Sequence, residues 1–269
     1  MLEMGVKKID KAMEGLKTRQ SYMVTQANDL ARSLGNLSSL QHRVLDYCFS
    51  FVRKEDEQDK IYSARLLDVL HHLGLASSGP NYRRVIEAFK ALNERTALYM
   101  PGKMQDGSTG LVMTSLFDRI AIGRTNGRVE FRFSRDAEPL VFQLHKNFYS
   151  FRLAELTGVK SKYTLTMMKL WNARGWGQWK PENRQLPHAI IEGSLEEWEA
   201  WFIGSDKDGN PKHWPAGRFN QKVLSVALKE LDNMYPDVHY KLLPIKSSRK
   251  VVGYRLEITP PNEHVKTER

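Results

Sequence analysis

The sequence has few of the residues that build covalent or metal-held frameworks. It contains one cysteine, so no disulfide can form within the chain, and no Cys/His group has the spacing of zinc ligands. The single thiol, Cys48, is flanked by Tyr47 and Phe49 in a helix-like stretch, which predicts a small buried side chain. Neither a disulfide-stapled fold nor a zinc-stabilised fold is therefore expected.

The chain also lacks long apolar runs and the motifs of common nucleotide chemistry. No segment approaches the ~18 consecutive apolar residues of a membrane-spanning helix, and the first residues lack the apolar core of a signal peptide. There is no Gly-x-x-x-x-Gly-Lys loop and no His-x-His triplet, while the adjacent His71 and His72 would need a third ligand to hold a metal. We expect a cytoplasmic protein with no membrane contact, no cofactor, no metal and no enzymatic activity.

What the chain does have is positive charge. Lysine and arginine number 41 against 31 aspartates and glutamates, which leaves a formal net charge of +10 over 269 residues. Such a balance favours an anionic partner, which could be nucleic acid, an acidic membrane surface or an acidic protein. The charge alone does not choose among these three.

The first half of the chain shows the order of elements found in winged-helix domains. Helices are predicted after Ser38 and Ser39, from Ser63 to the stop at Gly74, and after the turn Ser77–Pro80, with a short strand at Lys60–Tyr62. Strands at Thr96–Met100 and Leu111–Phe117 follow across the turn-rich segment Pro101–Gly110 and would form the wing. A further hairpin is predicted by Asn126-Gly127, the pair best suited to a type I′ turn.

The second half repeats this order. Its predicted elements are a helix through Thr164–Trp171, a strand at His188–Ile191, a helix at Ser194–Phe202 with a capping box, a long helix from about Gly217 to Met234, and strands at Val238–Leu243 and Val251–Ile258 around a loop, Pro244–Lys250. We therefore expect an α+β fold of two tandem winged-helix domains. The expected divisions are a basic tail at 1–20, domain 1 at 21–136, domain 2 at 137–260 with Ala137–Ser150 as the linking stretch, and a second tail at 261–269.

The long helix of the second half carries the clearest sign of DNA reading. One face is apolar, and the opposite face presents Arg218, Gln221, Lys222, Ser225 and Lys229 at helical spacing. The first turn adds Asn220, so it holds three side chains able to read guanine and adenine edges in the major groove. An ordinary solvated face is the alternative interpretation.

Two further basic clusters are candidates for DNA contact. The loop after the long helix contains Lys246, Ser248, Arg249 and Lys250, which suit contact with phosphates or the minor groove, although an ordinary charged loop would look the same. The equivalent helix of the first half is predicted to expose Asn81, Arg83 and Arg84 together with acidic residues, and the predicted wing tip has Lys103 opposite Asp106. We expect the first domain to be the weaker DNA reader and to contribute dimer contacts.

All six tryptophans lie between Trp171 and Trp214. They could form the core of the second domain, or they could stack on unpaired bases, for which Trp176 and Trp179 are the candidates.

Several runs of residues resemble one family of DNA-binding proteins. Phe148-Tyr-Ser-Phe-Arg152 and Val159-Lys-Ser-Lys-Tyr163, with the helix to Trp171, are similar to the second-domain opening of the initiator replication proteins of iteron-containing, theta-replicating bacterial plasmids. Phe219, Leu224 and Leu228-Lys-Glu-Leu231 resemble that family's long helix, and Ser248-Arg-Lys-Val-Val-Gly253 resembles its closing hairpin. The sequence departs from the family at Val159, where a leucine is usual, and in an enlarged segment at Gly175–Pro187.

The resemblance implies a bacterial, cytoplasmic plasmid replication initiator that binds double-stranded origin repeats (iterons) and helps to open the origin. It implies recruitment of the host initiator and the replicative helicase, and a homodimer in equilibrium with the monomer that represses its own gene through a promoter inverted repeat. By position, Lys160, Ser161, Lys162 and Tyr163 would touch backbone phosphate. A tandem winged-helix transcription regulator without origin function, and a protein-interaction module with an acidic partner, are the competing hypotheses.

Overall fold

The computed structural model describes residues 23–53, 55–142, 144, 148–156, 158–176, 186–206 and 211–261. The predicted tail at 1–20, the residues 262–269 and the side chains of Trp176 and Trp179 lie outside what it describes. The described residues divide into two compact units. Residues 23–30 and 37–158 form the first unit, and residues 31–36 and 159–261 form the second.

The helices and strands predicted for the first unit occur in the predicted order, and four further elements, at Met23–Ala27, Leu30–Ser33, Glu138–Val141 and Phe148–Arg152, were not predicted. In chain order the elements are β1 (Met23–Ala27), α1 (Leu30–Ser33), α2 (Ser39–Phe49), β2 (Tyr62–Arg65), α3 (Leu66–His72), α4 (Gly79–Arg95), β3 (Ala97–Lys103), β4 (Thr109–Ser115), β5 (Phe117–Ile122), β6 (Arg128–Phe133), α5 (Glu138–Val141) and β7 (Phe148–Arg152). Helix α1 crosses from the first unit into the second. Ser38 caps α2 in a capping box with Gln41, which satisfies two otherwise unpaired amides at the helix start.

The second unit contains a shorter set of elements. They are α6 (Lys162–Arg174), β8 (Gly175–Trp176), β9 (His188–Ser194), α7 (Leu195–Phe202), α8 (Ala216–Phe219), a π-helical segment at Asn220–Leu224, α9 (Ser225–Met234), β10 (His239–Ser247) and β11 (Lys250–Thr259). The predicted capping box of α7 is present between Ser194 and Glu197. The predicted long helix is α8, the π-helical segment and α9 in succession, and we call it the recognition helix.

Sheet pairing corrects the predicted position of the first wing. In the second unit β9, the strand between the first two helices, pairs with β11, and β11 pairs with β10. The first unit has the same arrangement, because β2 pairs with β6 and β6 with β5. The hairpin β5–β6 is therefore the wing of the first unit. The hairpin β3–β4, predicted to be the wing, forms a separate two-stranded sheet inserted before it.

The predicted turn and loop chemistry is corrected at two wing tips. A type I′ turn needs positive φ at both central residues, but Gly127 has a φ of 60° and Asn126 is not among the positive-φ residues; the Asn126 side chain instead accepts from the amide of Arg128. In the second wing, the predicted loop Pro244–Lys250 is mostly strand. Ser247 pairs with Lys250, so only Ser248 and Arg249 form the tip, and Ser248 has a φ of 55°.

The expected domain boundary at residue 136 also lies too early. Residues 137–150 were predicted to link the domains, but they include α5 and the start of β7, and β7 pairs along its length with β1. This antiparallel pairing joins the beginning and the end of the first unit, so the division falls at residue 158. Val24 and Phe151, which pair with each other across these strands, are buried.

Each unit has its own aromatic core. In the first, Phe131 stacks on Tyr62 at 5.4 Å between ring centres, and Phe117 stacks on Phe133 at 4.8 Å. In the second, Trp198 stacks on Phe202 at 5.7 Å and its indole N–H donates to the Tyr254 carbonyl at 2.9 Å. Aromatic rings bury large apolar areas, and buried indole N–H groups usually find an acceptor. These two cores hold the basic helices and wings described next.

Candidate nucleic-acid interface

The recognition helix presents a basic face opposite a buried apolar one. Its inner side chains are fully buried, and they are Phe219, Val223, Leu224, Ala227 and Leu231. Its outer side chains are exposed as predicted, and they are Arg218, Gln221, Lys222, Ser225 and Lys229. Burial of the inner face sets the rotation of the helix about its axis, so the basic side chains must point away from the core.

A π-helical turn shifts the geometry in the middle of this face. The amide of Ser225 bonds to the carbonyl of Asn220, five residues back, where an α-helix would use the fourth. The Ser225 hydroxyl lies 3.5 Å from the Asn220 side-chain oxygen, at the weak end of hydrogen bonding. Asn220 is half-buried, so this predicted base reader is more enclosed than the simple helical spacing implied.

Arg218 is held by an aromatic neighbour. Its guanidinium carbon lies 4.5 Å from the centre of the Trp214 ring and over the ring face, a cation–π geometry. Trp214 itself is half-buried. Sequence reasoning treated the tryptophans as core or stacking residues and missed this contact, although the four-residue spacing of Trp214 and Arg218 could have indicated it.

The second wing carries uncompensated positive charge at its tip. Residues 246–250, which include the predicted contacts Lys246, Ser248, Arg249 and Lys250, are all exposed. Within the described part of the chain, these basic side chains make no ion pair. Further down the wing, by contrast, Arg255 bonds to Glu257 and Glu192, which raises the pKa of Arg255. Exposed cations without carboxylate neighbours are the ones best placed to meet phosphates.

The start of α6, where phosphate contact was predicted, already has internal partners. The Glu230 carboxylate accepts from the amides of Lys160 and Ser161 at 2.7 and 3.1 Å and from the Thr164 hydroxyl at 2.6 Å. Ser161 caps the helix by accepting from the Tyr163 amide. An anion is therefore present at this helix start, but it is a side chain of the protein itself.

Lys162 is likewise engaged within the fold. Its Nζ donates to the Gly35 carbonyl at 2.8 Å, and burial, with a smaller contribution from Lys212, lowers the pKa of Lys162 to about 8. Burial also raises the pKa of the neighbouring Tyr163, which is half-buried. Lys160 is exposed. Phosphate contact by this run stays a prediction, and Lys160 is its most accessible member.

The basic helix of the first unit is α4, and it has mixed charge. Arg83 and Arg84 are exposed, whereas Asn81 is half-buried and donates to the Ala76 carbonyl at 2.9 Å, which closes the preceding turn. Arg84 donates to the Asn81 side chain at 3.3 Å. Both arginines line an open groove of about 440 Å³ together with Glu87 and Glu94. Its acidic residues dilute the positive potential of this face.

Three of the tryptophans belong to the core. Trp171, Trp198 and Trp201 are buried, in agreement with the core interpretation. Cys48 is also fully buried, as predicted, and burial raises the pKa of its thiol. Among the residues that the structure describes, no group of three or more His, Cys, Asp or Glu side chains could hold a metal ion, and no helix is long and apolar enough to cross a membrane.

Comparison with protein families identifies both units. The family model described as "Initiator Replication protein, WH1" matches residues 23–172, and the model "Initiator Rep protein, WH2" matches residues 194–258. The two tandem winged-helix domains predicted from the sequence are therefore confirmed. The first family model extends past residue 158 into α6, which packs in the second unit.

The chain is similar to solved structures at low sequence identity, and the first of these shares its fold. The crystal structure of the Pi initiator protein in complex with iteron DNA is 18% identical, with a TM-score of 0.68 over 91% of this chain and 99% of that one. Domains 2 and 3 of RctB are 13% identical, with a TM-score of 0.44 over 84% of this chain and 80% of that one. The WH1 domain of MSBI1.176, a replication protein isolated from a multiple sclerosis patient, is 15% identical, with a TM-score of 0.34 over 49% of this chain and 96% of that one. A comparison with curated proteins finds no match.

Proposed function

The chain belongs to the family of initiator replication proteins with two winged-helix domains, and from this membership we propose that it initiates plasmid replication by binding direct repeats of origin DNA. The second domain is the main DNA reader in this proposal. The recognition helix lies in the major groove, and the tip of the second wing contacts phosphates or the minor groove. The first domain adds weaker DNA contacts and contacts between copies of the chain.

One observation supports the proposal most directly. The recognition helix and the second wing belong to the same compact unit, and each exposes basic side chains. The Tyr254 hydroxyl in β11 donates to the Ala216 carbonyl at 2.8 Å, which ties a wing strand to the start of the recognition helix. In winged-helix proteins that bind DNA, a helix contacts the base edges and an adjacent cationic hairpin contacts the DNA backbone. The Pi initiator protein, which has this fold, is bound to iteron DNA in its crystal structure.

The finer roles belong to the same proposal. The bound protein helps to open the origin, recruits the host initiator and the replicative helicase, and acts in the bacterial cytoplasm. As a dimer in equilibrium with the monomer, it represses its own gene at an inverted repeat. It acts through binding and without enzymatic chemistry on the DNA.

The test is replication of a plasmid that carries the DNA flanking this gene, in which we expect direct repeats, but has no initiator of its own. We expect the plasmid to persist only in cells that supply the full chain, and we expect purified protein to bind the repeats more tightly than scrambled duplexes. Arg249→Ala should weaken binding to both duplexes and flatten the salt dependence, by about 0.9 in the slope of log K against log salt for one phosphate contact.

Other results would identify the competing functions. Binding to a lone inverted repeat without support of replication would indicate a transcription regulator. Failure to bind any duplex at low salt would indicate a protein-interaction module. A salt slope left unchanged by Arg249→Ala would remove the second wing from the interface.

A further inference from the structure

A buried carboxylate anchors the turn that leads into the recognition helix. Glu199 in α7 is only 1% exposed. One of its oxygens accepts from the Trp214 amide at 2.8 Å, and the other lies 2.9 Å from Nδ1 of His213. A buried carboxylate is costly unless its oxygens are bonded. These contacts therefore hold residues 213 and 214 in one place against the core of the second domain.

The helix start on the other side of this turn is held as well. Phe219 is fully buried, with its ring centre 6.2 Å from that of Phe202 and 6.3 Å from that of Tyr254. The Tyr254 hydroxyl bonds to the Ala216 carbonyl. The backbone from Trp214 to Phe219 is thus attached at both ends, so the directions in which Trp214 and Arg218 leave the backbone are set by the core.

The Trp214 ring then limits where the guanidinium of Arg218 can go. The guanidinium carbon sits 4.5 Å from the ring centre, while Arg218 as a whole stays exposed. A guanidinium stacks through its face and keeps its five N–H donors in its own plane. Stacking on Trp214 therefore leaves the donor edge available for the O6 and N7 atoms of guanine, which need a bidentate edge-on approach.

We propose that Trp214, anchored by Glu199, is a positioning residue that orients Arg218 for base reading and so determines specificity at one base position. This inference rests on the proposed function. An arginine without the ring beneath it samples many rotamers and must lose that freedom when it binds. An arginine that is already stacked before binding loses less conformational freedom, and the resulting gain in affinity is confined to the base that it contacts.

The test is a double-mutant cycle in the full-length chain. The probe is a duplex that the unchanged protein selects from a randomised library, together with every single-base variant of it. Arg218→Ala should relax the preference at one position by about 5- to 150-fold. Trp214→Leu should relax the same position by about 2- to 5-fold, the size of an exposed cation–π contact. Trp214→Phe, which keeps a ring face, should retain most of the preference, and Trp214→Leu should add nothing in the Arg218→Ala background.

Opposite outcomes would overturn the inference. In these outcomes, Trp214→Leu would weaken binding to all base variants equally, would relax the preference at a different position, or would cause a further loss of preference in the Arg218→Ala background. If Trp214→Leu unfolds on heating well below the unchanged chain, Glu199→Gln and Trp214→Phe decide instead. If Glu199→Gln relaxes the preference only at the base position that Arg218→Ala also relaxes, the anchoring role of Glu199 is supported. If it lowers the affinity for all base variants equally, that role is contradicted. If the unchanged protein selects no sequence from the library, the proposed function is overturned as well. If it selects a sequence but the effects of the two substitutions are additive, only the role of Trp214 is overturned.

Discussion

At the scale of single residues, the structure gives several predicted DNA contacts a partner inside the protein. Glu230 is the clearest case. Helix starts attract anions because their first amides are unpaired, and the Lys-Ser-Lys run suggested that DNA phosphate would supply the anion. In the structure the Glu230 carboxylate fills this place with three hydrogen bonds of 2.6 to 3.1 Å. Since Glu230 lies in α9, the same contacts fix the recognition helix against α6.

Lys162 leads to a prediction about pH. Its pKa is about 8 in the folded protein and about 10.5 when exposed. Between these values the unfolded chain holds a proton that the folded chain has released, so this group adds stability as the pH rises from about 8 to 10.5. Lys162→Met has no such proton. We expect the free energy of unfolding of the unchanged chain to rise relative to that of Lys162→Met across this range in urea titrations.

The exposed Lys229 provides the matched control. Lys229→Met, measured across the same pH range, is the comparison for the removal of an exposed lysine. A difference between Lys162→Met and the unchanged chain that stays constant over the same range would show that Lys162 is not buried against the Gly35 carbonyl.

At the scale of elements, the two wings correspond in pairing but not in charge. The first wing, β5–β6, has Arg124 at its exposed tip, whereas in its strands Arg132 is paired with Asp118 and Arg119 lies near Glu130. The tip of the second wing has Arg249 with Lys246 and Lys250 close by. The first domain therefore has less free positive charge to offer, which agrees with its expected role as the weaker reader.

The corrected wing assignment can be tested through Arg124. Arg124→Ala should weaken binding to all duplexes to a similar degree and reduce the salt slope by about 0.9, because one phosphate contact is lost. Lys103→Ala, in the inserted hairpin β3–β4, should leave both affinity and slope unchanged. Fluorescence anisotropy at several salt concentrations measures the two quantities. The reverse pattern would mean that the inserted hairpin, rather than β5–β6, meets the DNA.

At the scale of the whole molecule, the chain order and the domain order are not the same. Residues 31–36 lie in the N-terminal part of the sequence but pack in the second unit. Asn36 exchanges hydrogen bonds with Ser205 at 2.9 and 3.0 Å, and Arg32 lies over the Trp201 ring. The second unit is therefore completed by a segment that lies, in the sequence, between two parts of the first.

Gly35 makes this arrangement testable. A Cβ at this position would lie 2.5 Å from the Ala200 carbonyl oxygen and 2.9 Å from two further backbone atoms, which cannot move aside as a side chain could. Gly35→Ala should destabilise the second unit by about 1–3 kcal/mol. The described tryptophans all lie in that unit, and the residues described for the first unit include none. Tryptophan fluorescence should therefore report the lowered unfolding midpoint.

Gly79→Ala is the control for this experiment. Gly79 begins α4, and a Cβ there would meet nothing within 4 Å. The substitution should leave the fluorescence midpoint unchanged. A Gly35→Ala protein with an unchanged midpoint would contradict the packing of residues 31–36 in the second unit.

The sequence by itself determined the class of fold, the order of elements and the exposed basic face of the recognition helix. These follow from local signals: apolar periodicity, the caps at Ser38 and Ser194, and the stop at Gly74, where the φ of 67° suits glycine. The family was also predicted from the sequence, because short runs of its residues resemble those of the family.

Only the tertiary structure decided which strands pair, where the domains divide and which polar groups already have partners. Local patterns describe each element separately, but three features depend on contacts between elements. These are the pairing of β2 with β6 rather than β3, the binding of Glu230 rather than phosphate at the start of α6, and the support of Arg218 by Trp214. Trp214 and Arg218 are four residues apart, but the carboxylate that fixes their turn comes from α7 and the hydroxyl from β11. Strand pairing and the hydrogen-bond partners of polar groups depend on how the whole core is packed, so only the tertiary structure determines them.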